Sequence, residues 1–124
     1  MNKISQEDNL IVKLTFDFSL SVIDFVEQLQ NEKRFVMANQ LLKSGTSIGA
    51  NLREAQNSES KADFIHKIKI AAKEADETQY WLLLCKHSPH YPSSDDLLKQ
   101  LDSIMRVLNK IIFTSKKSLS TGLS

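Results

Sequence analysis

The sequence predicts an all-α fold, an antiparallel up-down-up-down four-helix bundle, and three features carry that prediction. Apolar residues recur at alternating spacings of three and four along most of the chain, the period of helices with one buried face. Only three Gly and two Pro occur in 124 residues, and they punctuate the periodic segments. Four segments of roughly 20 residues joined by short connections lie beside their sequence neighbours and run antiparallel to them. No stretch calls for a strand.

In the first segment Ile11, Leu14, Phe18, Val22, Phe25 and Leu29 form the inward stripe. Val12, Phe16, Ile23 and Val26 widen it beyond what one neighbouring pair of helices covers, which predicts a subunit interface. In the second segment Ala38, Leu41, Gly45, Ile48, Leu52 and Ala55 make a coiled-coil-like seam of small and large residues. Gly45 and Gly49 stand one turn apart in it. They read either as a weak point in the helix or as a place where another helix comes too close for a side chain.

The third segment opens at Ser60, with Asp63 three positions on, a pattern that satisfies the free amides of a first helical turn. Phe64, Ile65, Ile68, Ala72, Ala75, Gln79 and Leu82 continue it to about Lys86, and Pro89 and Pro92 stop it. Ser93 with Asp96 repeats the capping pattern. Leu97, Leu101, Ile104, Leu108 and Ile111 form the fourth seam, with Leu98, Met105 and Ile112 beside it. The bundle is expected over residues 1–115, as one domain, with 116–124 as a frayed tail.

Composition narrows the class. Apolar residues make up 41% and charged residues 25% of the chain, which fits a globular protein. No apolar run approaches the roughly 18 residues that span a bilayer, and the polar, acidic N-terminus is unlike a signal peptide, so the expected location is the cytoplasm. The lone Cys85 forms no internal disulfide and reads as a small buried hydrophobe. Net charge is +1, but residues 1–31 carry two lysines against five acids, and residues 32–73 eight cations against four acids.

A search for converging reactive groups finds none. Cys85 and His87 point to different helical faces and have no third orienting group. A two-metal bundle needs Glu-x-x-His on two helices, and only Asp63-x-x-His66 approaches it, once. Glu74 and Glu77 share a face, where Lys73, Arg53 or Lys43 can pair with them as solvated bridges. Phosphate-binding glycine loops and nucleophile elbows are absent from the sequence. The expectation is a non-enzyme with no metal and no cofactor.

The basic stretch is the most informative surface feature. His66, Lys69 and Lys73 follow one face of the third helix, with Lys61 and Lys67 on its flanks and Arg34, Lys43 and Arg53 on the preceding segment. Lys43, Arg53, Lys61, Lys67, Lys69 and Lys73 are the expected phosphate contacts for RNA or DNA, and repetition in an oligomer multiplies a weak contact. The alternatives are a plain solvated face, or a scaffold that docks a protein partner through apolar residues.

One stretch, residues 44–84, carries a more specific pattern: Ser47-Ile48, Asn51, Glu54-Ala55, Ser60, Asp63-Phe64, Ile70-Ala71 and Glu77. It resembles the four-helix-bundle family of proteins encoded in intervening sequences of bacterial 23S ribosomal RNA genes. The resemblance implies a ring-like homopentamer with a nucleic-acid role. A relative in that family, the accessory protein of diversity-generating retroelements, binds a reverse transcriptase and nucleic acid through a basic barrel. A polymerase-type protein is therefore a second partner that the resemblance implies. The near-neutral charge of this chain sets it apart from that relative. Within the pattern Ser47, Asn51 and Glu54 form a polar strip that Asp63 or Glu77 on the third helix can face. Such a strip either fixes helix register by hydrogen bonds or offers a ligand surface.

Overall fold

Helices form where the three-and-four spacing places apolar side chains on one stripe, and each helix buries that stripe against its neighbours. The structure is a computed structural model that describes the backbone of residues 6–120 and the side chains of residues 9–117. It contains four helices: α1 (Gln6–Asn31), α2 (Phe35–Ala55), α3 (Lys61–His87) and α4 (Asp95–Ser120). Among the described residues there is no strand. Each helix packs on its sequence neighbours and α4 closes back onto α1, an arrangement consistent with a bundle. The α2–α3 contact is the most extensive and the α1–α4 contact the least.

The predicted seams form the core. Ile11, Phe18, Leu29, Ile48, Leu52, Leu101 and Leu108 are inaccessible to solvent. Every predicted position of the second seam is buried, Gly45 included. Leu14 is half-buried, and Val26, expected on the outer flank of the first helix, lies in the core at 3% exposure. In α3 the buried seam runs Phe64, Ile68, Ala71, Ala75, Thr78, Leu82 and Cys85, a stricter alternation of four and three than expected. Ala72 and Gln79 stand at its edge, because Ala71 and Thr78 keep the stripe centred.

Gly45 shows why α2 needs small residues. A Cβ built there would stand 2.9 Å from Val22 Cγ2 and 3.0 Å from Cγ1, so α1 occupies the space of a side chain. At Gly49 the nearest atoms, Ser19 Oγ and the Thr15 carbonyl oxygen, are at 3.4 Å, ordinary contact.

The helix ends hold two departures from expectation. Ser60 caps α3 as predicted, its hydroxyl accepting from the Asp63 amide at 3.0 Å while the Asp63 carboxylate accepts from the Glu59 amide at 3.4 Å. At α4 the residue before the helix is Ser94, not Ser93. Ser93 accepts only from the Asp95 amide at 3.3 Å, and the buried Ser94 hydroxyl instead donates to the Leu82 carbonyl at 2.9 Å, tying the loop to α3. The helix also runs to Ser120, five residues beyond the boundary expected at residue 115. Ser115 is buried, and Lys116 and Lys117 suit the negative end of a helix, so the last turns hold together. Residues 121–124 lie outside the described residues.

The α1–α2 turn is built without glycine. Lys33 adopts φ 62°, its amide donates to the Gln30 carbonyl at 2.9 Å and the Arg34 amide to the Leu29 carbonyl at 2.8 Å. This is the paired closure in which a left-handed residue ends a helix, with lysine where glycine is cheapest. Arg34 then reaches across to the α3–α4 loop. It bonds Glu32 and the His90 carbonyl, both at 3.1 Å, and lies 4.0 Å over the Tyr91 ring.

Candidate interaction surfaces

The polar strip of α2 spends its hydrogen bonds inside its own helix. Ser47 donates to the Lys43 carbonyl at 2.6 Å and Asn51 to the Ser47 carbonyl at 2.8 Å, because a short polar side chain reaches the carbonyl four residues back. Asp63 is occupied at the start of α3, and Glu77 accepts from the Trp81 indole at 3.4 Å on the same helix. Of the strip, Glu54 alone crosses to α3, accepting from Lys67 at 2.9 Å. The hydrogen bonds of Ser47, Asn51 and Glu54 thus go to Lys43, Ser47 and Lys67, and those of Asp63 and Glu77 to Glu59 and Trp81.

Register between α2 and α3 is marked instead by a buried contact that the sequence reading missed. Thr78 Oγ1 lies 3.0 Å from Ser44 Oγ, and both residues are inaccessible to solvent. Each hydroxyl also reaches a carbonyl four residues back, Glu74 at 2.7 Å and Gln40 at 3.0 Å. With one proton per hydroxyl, the two side chains share these contacts and leave no oxygen stranded. Ser44 and Thr78 each stand one position before a residue assigned to a seam, Gly45 and Gln79, and only the rotation of the packed helices turns them inward.

The six cations expected to meet phosphate have different surroundings. Lys67 turns to Glu54, and that hydrogen bond holds its ammonium above the ordinary lysine pKa. Lys61 lies 5.9 Å from the centre of the Phe64 ring. Arg53 shares a groove of about 180 Å³ between α1 and α2 with Val12, Thr15, Phe16, Ser19, Gly49 and Ala50. Lys43 and Lys73 are exposed. Lys69 stands beside Lys116 of α4, whose positive charge pushes the Lys69 pKa below that of an ordinary lysine. Lys116 was assigned to the frayed tail, so this neighbour was invisible to a reading confined to residues 32–73.

Cys85 is buried, and burial pushes its thiol up to about pKa 11 against the weaker opposing pull of Arg34. It is a protonated packing group near neutral pH. Among the described residues no three His, Cys, Asp or Glu side chains gather as a metal site, and no helix is long and apolar enough to cross a membrane.

The exposed apolar residues form the other surface feature. On α1, Phe16, Leu20 and Ile23 follow one face at spacings of four and three and are 61%, 50% and 40% exposed. Phe35 and Leu42, seven apart on α2, and Tyr80, Leu83 and Leu84 on α3 are also exposed, as is Phe113 on α4.

Comparison with known proteins assigns the chain. No curated protein matches it. A solved structure of a protein of unknown function from the S23 ribosomal protein family of Bacteroides thetaiotaomicron VPI-5482 superposes with a TM-score of 0.82 at 39% identity, covering 86% of this chain and 98% of that one. The family of 23S rRNA-intervening sequence proteins matches residues 7–110. With the match running from the first helix into the fourth, over most of the chain, this protein belongs to the 23S rRNA-intervening sequence protein family.

Proposed function

We propose that this chain is a non-enzymatic assembly protein: an antiparallel up-down-up-down bundle that self-associates in the cytoplasm and presents an assembled surface to a macromolecular partner. The antiparallel order is supported by contact pairs whose residue numbers fall in one helix as they rise in the next: Gly45 with Val22 and Gly49 with Thr15, then Ser44 with Thr78 and Glu54 with Lys67. The single observation that carries the function is the exposed row Phe16, Leu20 and Ile23. An apolar row repeated at helical spacing on an outer face costs solubility unless something covers it. A ring-like homopentamer, implied by the family resemblance, is one assembly that covers it, and a polymerase-type protein is one partner that such an assembly can dock. Light scattering on the purified protein tests the reading: a mass several times the 14.1 kDa chain is expected, and a monomer in dilute buffer overturns it.

A second reading, contact with RNA or DNA, is favoured by one observation, the approach of Lys69 to Lys116 with Lys73 one turn further along α3. Two ammonium groups held together gain when a phosphate joins them. Titration of labelled RNA and duplex DNA at low and near-physiological salt tests it. Binding that weakens steeply with salt and is lost in a Lys69→Glu, Lys116→Glu variant is the expected result. Binding unchanged in that variant removes these lysines from the account.

A further inference from the structure

We infer that residues 89–93 form a strap latched by Arg34 across one end of the helical core, and that releasing the latch opens this end while the four helices stay packed.

The three connections between helices are held in different ways. In the α1–α2 turn the amides of Glu32, Lys33 and Arg34 donate to carbonyls of α1, and in the α2–α3 turn those of Gln56, Asn57 and Ser58 donate to carbonyls of α2. The Ser58 hydroxyl adds a bond to the Ala55 carbonyl at 2.7 Å. These two turns close on their own backbone. The α3–α4 connection is anchored near its ends instead: the Ser88 amide donates to the Cys85 carbonyl at 3.3 Å, and the buried Ser94 hydroxyl to the Leu82 carbonyl at 2.9 Å. Between these anchors Pro89 and Pro92 bring no amide proton. Arg34 ties the middle, its Nη2 donating to the His90 carbonyl at 3.1 Å and its guanidinium carbon lying 4.0 Å over the Tyr91 ring. Glu32 accepts from Arg34 Nε at 3.1 Å and so aims the guanidinium.

What the strap covers, and how it is strained, decide what its release does. Tyr91 packs against the core, and Cys85 is buried in the last turn of α3, within the field of Arg34. His90 adopts φ 68°, a left-handed conformation that is costly for a residue with a Cβ and lasts only where its surroundings impose it. The Arg34 bond falls on the carbonyl of that same residue. Without it His90 relaxes, Tyr91 loses the cation over its ring, and the strap turns about Ser88 and Ser94. Both anchors are bonded to α3, so the buried seams keep their contacts. Phe35 and Val36, which follow Arg34 in the chain, are exposed. Opening therefore frees the Tyr91 ring and widens an apolar surface that already stands beside the latch.

Cys85, the single cysteine, reports the opening. The full chain is labelled with dithiodipyridine, a neutral thiol reagent, across a urea series kept below the unfolding transition. In the wild type the labelling rate is expected to change little with urea, because the strap exposes far less surface than unfolding does. Arg34→Ala is expected to label about tenfold faster, as the loss of a charged hydrogen bond, with its helix content and unfolding midpoint nearly kept. The direction separates exposure from chemistry. The Arg34 charge pulls the Cys85 thiol toward ionisation, so its removal alone would slow labelling. A wild-type rate that rises with urea as steeply as unfolding does, or a rate unchanged in R34A, overturns the latch. His90→Gly tests the strain and leaves the carbonyl that meets Arg34 in place: the strap closes at less cost, and labelling is expected to slow several-fold. Faster labelling in H90G overturns strain at His90 as a driver of the opening.

Discussion

α1 makes two contacts of opposite character. Against α2 it drives Val22 into the place where residue 45 would carry a side chain, and the contact at that point is close. Against α4 and the loop before it, Ser21, Asp24 and Gln28 face Asp96, Gln100 and the loop residue Ser93 across a polar groove of about 260 Å³, with Phe25 and Leu97 closing its apolar side. The difference teaches where this bundle is specified. The close contact fixes depth and position through volume, whereas the open one closes the ring of helices and leaves its side chains to water.

That contrast predicts a graded response. Gly45→Ala is the strongest probe: the added methyl meets Val22, which is β-branched, 1% exposed and unable to swing away. Overpacking of this kind costs roughly 1–3 kcal/mol and outweighs the ~1 kcal/mol that alanine returns to the helix. Urea unfolding is expected to show a lower midpoint, and a rise would mean that α1 yields easily. Thr78→Val comes next. It removes the shared hydroxyl between α2 and α3 while keeping the volume, at about 1 kcal/mol, because Ser44 still reaches the Gln40 carbonyl. No change in the unfolding midpoint would show the α2–α3 register to be held by packing alone.

Gly49→Ala sharpens the comparison by its sign. One turn from Gly45, it meets neighbours at ordinary contact distance, so the helix gains up to ~1 kcal/mol and the midpoint rises. Equal losses at both glycines would mean that the whole α1–α2 contact, not one point of it, is close. The smallest effect belongs to the open side. Gln100→Ala in the α1–α4 groove is expected to change stability by less than about 0.5 kcal/mol. A loss several times larger would make that groove a structural contact after all.

The helices were legible because their cause is local. Alternation of three and four placed Leu97, Leu101, Ile104, Leu108 and Ile111 in the core before any neighbour was known, and all five are buried. The Ser60 cap was legible for the same reason, since its bond closes over three residues. The interaction surfaces were much less so. Lys67 looked like one of a row of cations until α2 brought Glu54 to it, thirteen residues back in the chain. Lys69 gained its neighbour from the far end of α4. Ser47 and Asn51 turn their hydrogen bonds to the carbonyl four residues back, a choice their spacing alone does not reveal.

By itself, then, the sequence determined what depends on neighbours within one or two turns: the helical segments, the stripe each one buries and the cap that starts the third. It also determined the family, because the pattern from Ser47 to Glu77 is a property of residue order. Only the tertiary structure decided which glycine is pressed against another helix, which polar pair lies buried between α2 and α3, and which lysines stand with a partner. Those outcomes depend on the rotation and depth at which helices meet, and a shift of one position in a seam, such as Ala71 for Ala72, turns every side chain on the flank toward a different neighbour.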